Sequence, residues 1–180
     1  ATHADEAYQF LLDPDDLEKE LLGNWQYTSN RAILHTDPTF MPKRKRVWSS
    51  WNFISKENPD NKQASCITYW MNRLQGLQCQ PIFVTLNPYD EPAPGTIVQE
   101  FIYTHPYFDH RALAAQQRLW ELQGVRRTWY CGSYFGFGFH EDALQSGLAV
   151  AEHLGRVKRP WSISEENNRI WVMPENRVAA

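Results

Sequence analysis

The stretch from Arg127 to Leu154 carries the residue types and spacing with the most chemical content. Arg127-Thr128-Trp129-Tyr130-Cys131 reads as a short strand. Gly132-Ser133-Tyr134-Phe135-Gly136-Phe137-Gly138 reads as a glycine-rich loop, and Phe139 opens a long helix. Glycines let a backbone approach a ligand closely, and a helix start offers unpaired N–H groups with partial positive charge. Such a strand–loop–helix can hold a polar or anionic cofactor edge. Gly132, Gly136 and Gly138 do not follow the dinucleotide spacing G-x-G-x-x-G, because Glu141 stands where the third glycine would fall. On spacing alone, a loop with tight turns beside aromatic core residues is an equal alternative.

Other constellations carry less. His140-Glu141 begins like the zinc-protease helix H-E-x-x-H, but Leu144 replaces the second histidine. Asp13, Asp15 and Asp16 cluster as carboxylates, and helix-start chemistry accounts for them without a metal. No metal site is expected. His105 and His110 straddle Pro106, a poor fit to one helical face. Cys131 and Ser133 have no base and orienting acid identifiable in sequence, so a nucleophile there is unsupported. The basic run Lys43-Arg44-Lys45-Arg46 reads as a solvated loop. No catalytic residue is assigned.

The elements that must position the loop follow from composition and pattern. The chain has 180 residues, 42% hydrophobic and 22% charged, enough to bury a core. The net charge of -3 gives no support to nucleic-acid binding. Three cysteines at wide spacing suit neither a zinc knuckle nor a disulfide framework and favour a reducing, cytoplasmic compartment. No apolar run reaches the ~20 residues that cross a bilayer. Residues 4–12 read as a helix, and a second begins with Asp13 as N-cap and Pro14 in its first turn and stops at Gly23. Candidate strands are 31–36, 47–54, 65–72, 82–86 and 96–104, closely spaced and therefore antiparallel, with a turn at Asn58-Pro59-Asp60-Asn61. Residues 109–123 and 139–154 read as helices, and 156–180 as a tail. The fold class is α+β, a mixed and largely antiparallel sheet with flanking helices plus a terminal strand–loop–helix.

Tyr130-Cys131-Gly132-Ser133 and Gly136-Phe137-Gly138-Phe139-His140-Glu141-Asp142-Ala143 through Ser146-Gly147 resemble the C-terminal flavin-binding motif of flavin-containing amine oxidoreductases. The nearest likeness is to a bacterial subgroup described as NAD/FAD-binding or amine oxidase-like. Ala1-Thr2-His3-Ala4-Asp5-Glu6-Ala7, Asn30-Arg31-Ala32-Ile33-Leu34-His35-Thr36-Asp37, Trp48-Ser49-Ser50-Trp51-Asn52, Thr68-Tyr69-Trp70-Met71-Asn72 and Phe83-Val84-Thr85-Leu86-Asn87-Pro88 extend it over most of residues 1–155. The resemblance implies FAD as cofactor and hydride transfer from a small organic substrate, an amine or a lipid-like molecule, to the flavin. It implies cofactor contacts at Gly132 and Ser133 by the pyrophosphate and ribityl chain, and at Gly138, Phe139, His140 and Glu141 by the flavin edge. Ala143 and Gly147 would be close-packing positions on the final helix.

The same resemblance divides the chain into 1–12, the end of an FAD-domain strand and its helix; 13–124, much of a substrate-binding domain; 125–155, the returning strand–loop–helix; and the 156–180 tail. The N-terminal Rossmann-like segment would precede Ala1, so the chain reads as the C-terminal part of a longer oxidoreductase. By itself it is expected to be inactive, to hold FAD weakly and to self-associate through exposed apolar surface. The lysine that amine oxidases place near the flavin has no match here. The competing reading is a non-catalytic binding or assembly domain that retains the fold.

Overall fold

The computed structural model describes residues 2–57 and 63–173. In chain order the elements are α1 (Ala4–Gln9), α2 (Asp16–Leu22), β1 (Gln26–His35), β2 (Trp51–Glu57), β3 (Gln63–Trp70), α3 (Met71–Gln75), β4 (Phe83–Leu86), β5 (Ile97–Tyr107), α4 (His110–Gln116) and α5 (His140–Gly155). The class is α+β. The turn expected at Asn58–Asn61 lies outside the described residues.

Thr28–His105 forms one compact unit, and the chain before and after it forms the other. The division falls at 28 and 105 instead of 13 and 124, because α2 and α4 bury their apolar residues in the same cluster as α1 and α5. That cluster contains Ala4, Leu21, Leu22, Trp25, Leu119, Trp120, Tyr134, Phe135 and Ala149.

The sheet unit has five strands in the order β2-β3-β4-β1-β5. The pairs β2·β3, β3·β4 and β4·β1 are antiparallel, with Ile33 opposite Thr85, Thr85 opposite Thr68, and Thr68 opposite Asn52. Because side chains alternate between faces, this register lines up His35, Thr85, Thr68 and Asn52 on the buried face with Ile33, Cys66 and Phe83. Phe40 and Met41, from the 3-10 turn at Pro38–Phe40 and the residue after it, are buried as well. On the opposite face Trp51 and Phe53 of the edge strand β2 are exposed.

In the helical unit α1 ends at Gln9 instead of residue 12, and the structure departs from the sequence reading at three further places. First, α2 is capped by Asp15, not Asp13. The Asp15 carboxylate accepts the Glu18 amide at 2.8 Å while the Glu18 carboxylate accepts the Asp15 amide at 2.9 Å, a reciprocal pair that Asp13 cannot make. Second, the helix expected over 109–123 stops at Gln116 and tightens into a 3-10 turn at Leu119–Leu122. The threefold period of that turn puts Leu119 and Leu122 on one side, and both are buried beside Trp120. Third, no strand forms over 127–131. Residues 125–127 make a 3-10 turn, and the backbone from Tyr130 onward bonds to side chains. The Gln123 carboxamide takes both polar backbone groups of Tyr130, donating to its carbonyl at 2.7 Å and accepting its amide at 2.9 Å. A buried segment whose backbone is satisfied in this way needs no neighbouring strand. Residues 156–173 are partly held: Arg159 pairs with Glu152, and Ile170 is buried in the core.

Candidate functional site

The loop that follows Tyr130 is built by four polar side chains from elsewhere in the helical unit. The Ser146 hydroxyl, near the middle of α5, lies 3.0 Å from both the amide and the carbonyl of Gly132. The Gln116 carboxamide at the end of α4 donates to the carbonyls of Tyr134 and Gly136. Asp142, in the first turn of α5 and fully buried, accepts the amides of Phe137 at 2.9 Å and Phe139 at 2.7 Å. Arg169 closes the arrangement, its Nε donating to Asp142 at 2.6 Å. The Arg169 guanidinium also lies 5.3 Å and 5.8 Å from the ring centres of Phe137 and Phe139, within cation–π range.

These contacts sort the sequence-predicted site residues into two sets. Gly132 is buried. A Cβ there would come within 2.6 Å of the Tyr134 ring and 2.7 Å of the Thr2 carbonyl, so the glycine accommodates the chain's own atoms. Ser133 is half-buried, and its carbonyl accepts the amides of Gly136 and Gly138 at 3.1 Å. Ala143 is half-buried, with its carbonyl against the Ser146 hydroxyl. Gly138, Phe139, His140 and Glu141, by contrast, are all exposed and contiguous. Gly138 has a φ of +88°, a left-handed conformation that delivers the chain into α5 at little cost only to glycine.

The first amides of α5 with a helical acceptor are those of Asp142 and Ala143, both to the Phe139 carbonyl. The amides of His140 and Glu141 precede them and have no intrahelical acceptor. Over a helix of 16 residues the dipole places roughly half a positive charge at this end. Asp142 spends its carboxylate inward on Arg169 and two amides. The remaining acid, Glu141, accepts a hydrogen bond from Gln145 at 3.0 Å. The exposed start of α5 thus offers two N–H donors without an intrahelical acceptor, next in sequence to Phe139.

A flavin ring edge fits this set, since it is flat, apolar on its faces and carries acceptors along one side. The pyrophosphate and ribityl contact implied for Gly132 does not fit in the same way, because Ser146 takes its amide and carbonyl and Tyr134 and Thr2 crowd its Cα. Sequence reasoning missed Gln123, Gln116 and Arg169, whose partners lie between 7 and 27 positions away in the chain. Among the described residues no group of three or more His, Cys, Asp or Glu side chains stands close enough to hold a metal ion. None of the three cysteines forms a disulfide, and no helix of the described residues is long and apolar enough to cross a membrane. No protein-family model matches the chain, and no curated protein matches it.

Proposed function

We propose that the chain contributes the flavin-edge contacts of an FAD-dependent oxidoreductase of amine oxidase-like type, with the start of α5 facing the pyrimidine side of the ring. The observation that carries this reading is the exposed run Gly138–Glu141, in which the His140 and Glu141 amides have no intrahelical acceptor. Bound flavin would supply the hydride-accepting chemistry for an amine or lipid-like substrate. The protein's part is to hold the ring edge and to stabilise negative charge there. Asp142 and Arg169 hold the backbone just before these amides, at Phe137 and Phe139, so little reorganisation accompanies the arrival of charge. The three thiols without a disulfide suit the reducing, cytoplasmic compartment we assign to it.

Because the fitting residues cover only one edge of a large ligand, the chain alone is expected to bind flavin weakly, with little to offset the cost of ordering the rest. The test is therefore read at single amides. Flavin mononucleotide, oxidised and then reduced, is titrated into isotope-labelled chain and the amide resonances are followed. The expected result is a shift centred on Gly138, His140 and Glu141, larger for the reduced ring. Shifts distributed elsewhere, or none at those amides at saturating flavin, would overturn the reading.

A second reading, a non-catalytic assembly domain, is favoured by β5. This 11-residue edge strand exposes Val98 and Ile102 on one face and Ile97, Phe101 and Tyr103 on the other. Long apolar edge strands are templates for pairing with another chain.

A further inference from the structure

One corner of the sheet unit gathers cations without counter-charges. Lys43, Arg44, Lys45 and Arg46 run into a 3-10 turn at Lys45–Val47, and all four are exposed. Trp48 ties this turn to α3. Its indole N–H donates to the Pro42 carbonyl at 2.8 Å, its ring meets Trp70 edge-on at 5.3 Å, and Lys45 Nζ stands 5.6 Å from the ring centre. Arg73, exposed on α3, donates to the Trp48 carbonyl at 3.0 Å and brings a fifth cation to the same place. The Asn72 carboxamide fixes the chain after α3, accepting the Ile82 amide at 2.7 Å and donating to the Gln80 carbonyl at 3.1 Å. None of the five cations forms a salt bridge with a described residue. The sequence holds no Asp or Glu at 38–56 or 63–89, the stretches that build this corner. Exposed aliphatic side chains stand next to the cations: Val47 follows Arg46, and Leu74 follows Arg73.

We propose that this corner docks on an anionic lipid bilayer, its cations at the headgroup phosphates and Val47 and Leu74 at the acyl boundary. The chain as a whole is net -3, so the attraction is local to this corner and sets one orientation on the membrane. Lys and Arg are drawn to the negative surface potential of anionic lipids, and exposed aliphatic groups beside them gain by leaving water. A nucleic acid would satisfy the same cations, but it binds single strands by stacking bases on aromatic rings and offers nothing to a valine and a leucine. The surface lies wholly within the sheet unit, and the proposal goes beyond the flavin reading and stands or falls separately from it.

The test is co-sedimentation of the full chain with vesicles of phosphatidylglycerol and phosphatidylcholine in equal parts, against vesicles of phosphatidylcholine alone. The expected result is saturable binding to the anionic vesicles that weakens as salt rises, and none to the neutral ones. Arg44→Gln combined with Arg46→Gln should lower the affinity about 25-fold, at about fivefold per cation. Leu74→Gln should lower it about threefold or more and leave the salt dependence unchanged. All three side chains are exposed, so the variants should keep the parent's urea midpoint, which is measured alongside. Absence of binding to the anionic vesicles, equal binding to the neutral ones, or an affinity that either variant leaves unchanged would each overturn the proposal. So would capture of a labelled oligouridine that the double variant abolishes, which would make a nucleic acid the occupant.

Discussion

Ser146 and Gly132 are joined twice: one hydroxyl oxygen, 14 positions along the chain, meets both the amide and the carbonyl of the glycine at 3.0 Å. Both residues are buried, so no solvent stands ready to replace the hydroxyl. Ser146→Ala should lower the unfolding free energy by about 1–3 kcal/mol, the cost of stranding buried backbone groups. Urea denaturation checks it, and a loss below a few tenths would show that the loop has other support.

Two glycines close together in sequence should respond in opposite directions. A Cβ at Gly132 meets Tyr134 and Thr2 at under 3 Å, whereas one at Gly147, inside α5, meets nothing within 4 Å. Gly132→Ala should therefore destabilise by about 1–3 kcal/mol through overcrowding. Gly147→Ala should stabilise by about 0.5–1 kcal/mol, because alanine suits a helix interior better. Thermal melts of the pair decide whether the close approach at Gly132 is rigid.

Asp142→Ala removes the acceptor shared by Phe137 and Phe139. Amide hydrogen exchange at those two residues should speed up at least tenfold, with a stability loss of about 1–3 kcal/mol. Arg169→Ala should do less, since its guanidinium is about a third exposed and its pairing is screened by water. Equal effects from both variants would mean that the arginine, not the amide bonds, fixes the loop.

Acid should weaken the two units in different pH windows. Burial holds His35 below its ordinary 6.5, with Asp37 acting against that shift. The unfolded chain then binds a proton that the folded one refuses, so the sheet unit loses stability as pH falls below about 6.5. In the helical unit, the Arg159 guanidinium holds the Glu152 carboxyl down at about 2. Its contribution is complete above the ordinary 4.5 and is lost as pH falls through about 2. Denaturation midpoints measured from pH 7 to pH 2, with His35→Gln and Glu152→Gln as controls, should separate the two steps. If His35→Gln leaves the slope between pH 6.5 and pH 5 unchanged, the histidine is not its source.

The apolar surface of β5 should drive concentration-dependent association. Ile102 is 67% exposed near the middle of that edge strand. Ile102→Lys places a charge where a neighbouring strand would have to bury it. Light scattering over a dilution series should show the parent chain growing in mass with concentration and the variant staying monomeric. A parent that stays monomeric throughout would remove this surface as an association site.

Much of the scaffold was legible because it is written locally. β-Branched and aromatic runs between turn residues mark the strands, and Gly138 followed by a long apolar face marks the start of α5. The capping box Asp15-Asp16-Leu17-Glu18 was equally readable, but the proline at 14 drew the expected helix start to Asp13. The failures share one physical cause. Thr128-Trp129-Tyr130-Cys131 has strand composition, and composition reports an extended backbone without saying what satisfies it. The partners here are Gln123 and Ser146, single side chains with no periodic signature. Arg169 was hidden for the same reason, 27 residues beyond Asp142 in a polar stretch read only as a tail. At the candidate site, the exposed run from Gly138 to Glu141 was legible as a helix start. That Gly132 faces inward was not, because nothing local records the approach of Thr2 and Tyr134.

The buried row on the sheet also bears on how the strands find their alignment. His35 Nδ1 accepts the Asp37 amide at 3.2 Å, which leaves Nε2 as the donor to Thr85 at 2.8 Å, and Thr85 meets Thr68 at 2.9 Å. Asn52 extends the row, donating to the Thr68 carbonyl at 3.2 Å. A slip of β4 by one residue would turn Thr85 outward and put Val84 or Leu86 against the imidazole, stranding a donor in an apolar layer. Hydrophobic residues alone tolerate such a shift, since Val, Leu and Ile are nearly interchangeable as filling. The hydroxyl–imidazole chain does not, so it gives the native alignment a selectivity that apolar filling of this layer would lack.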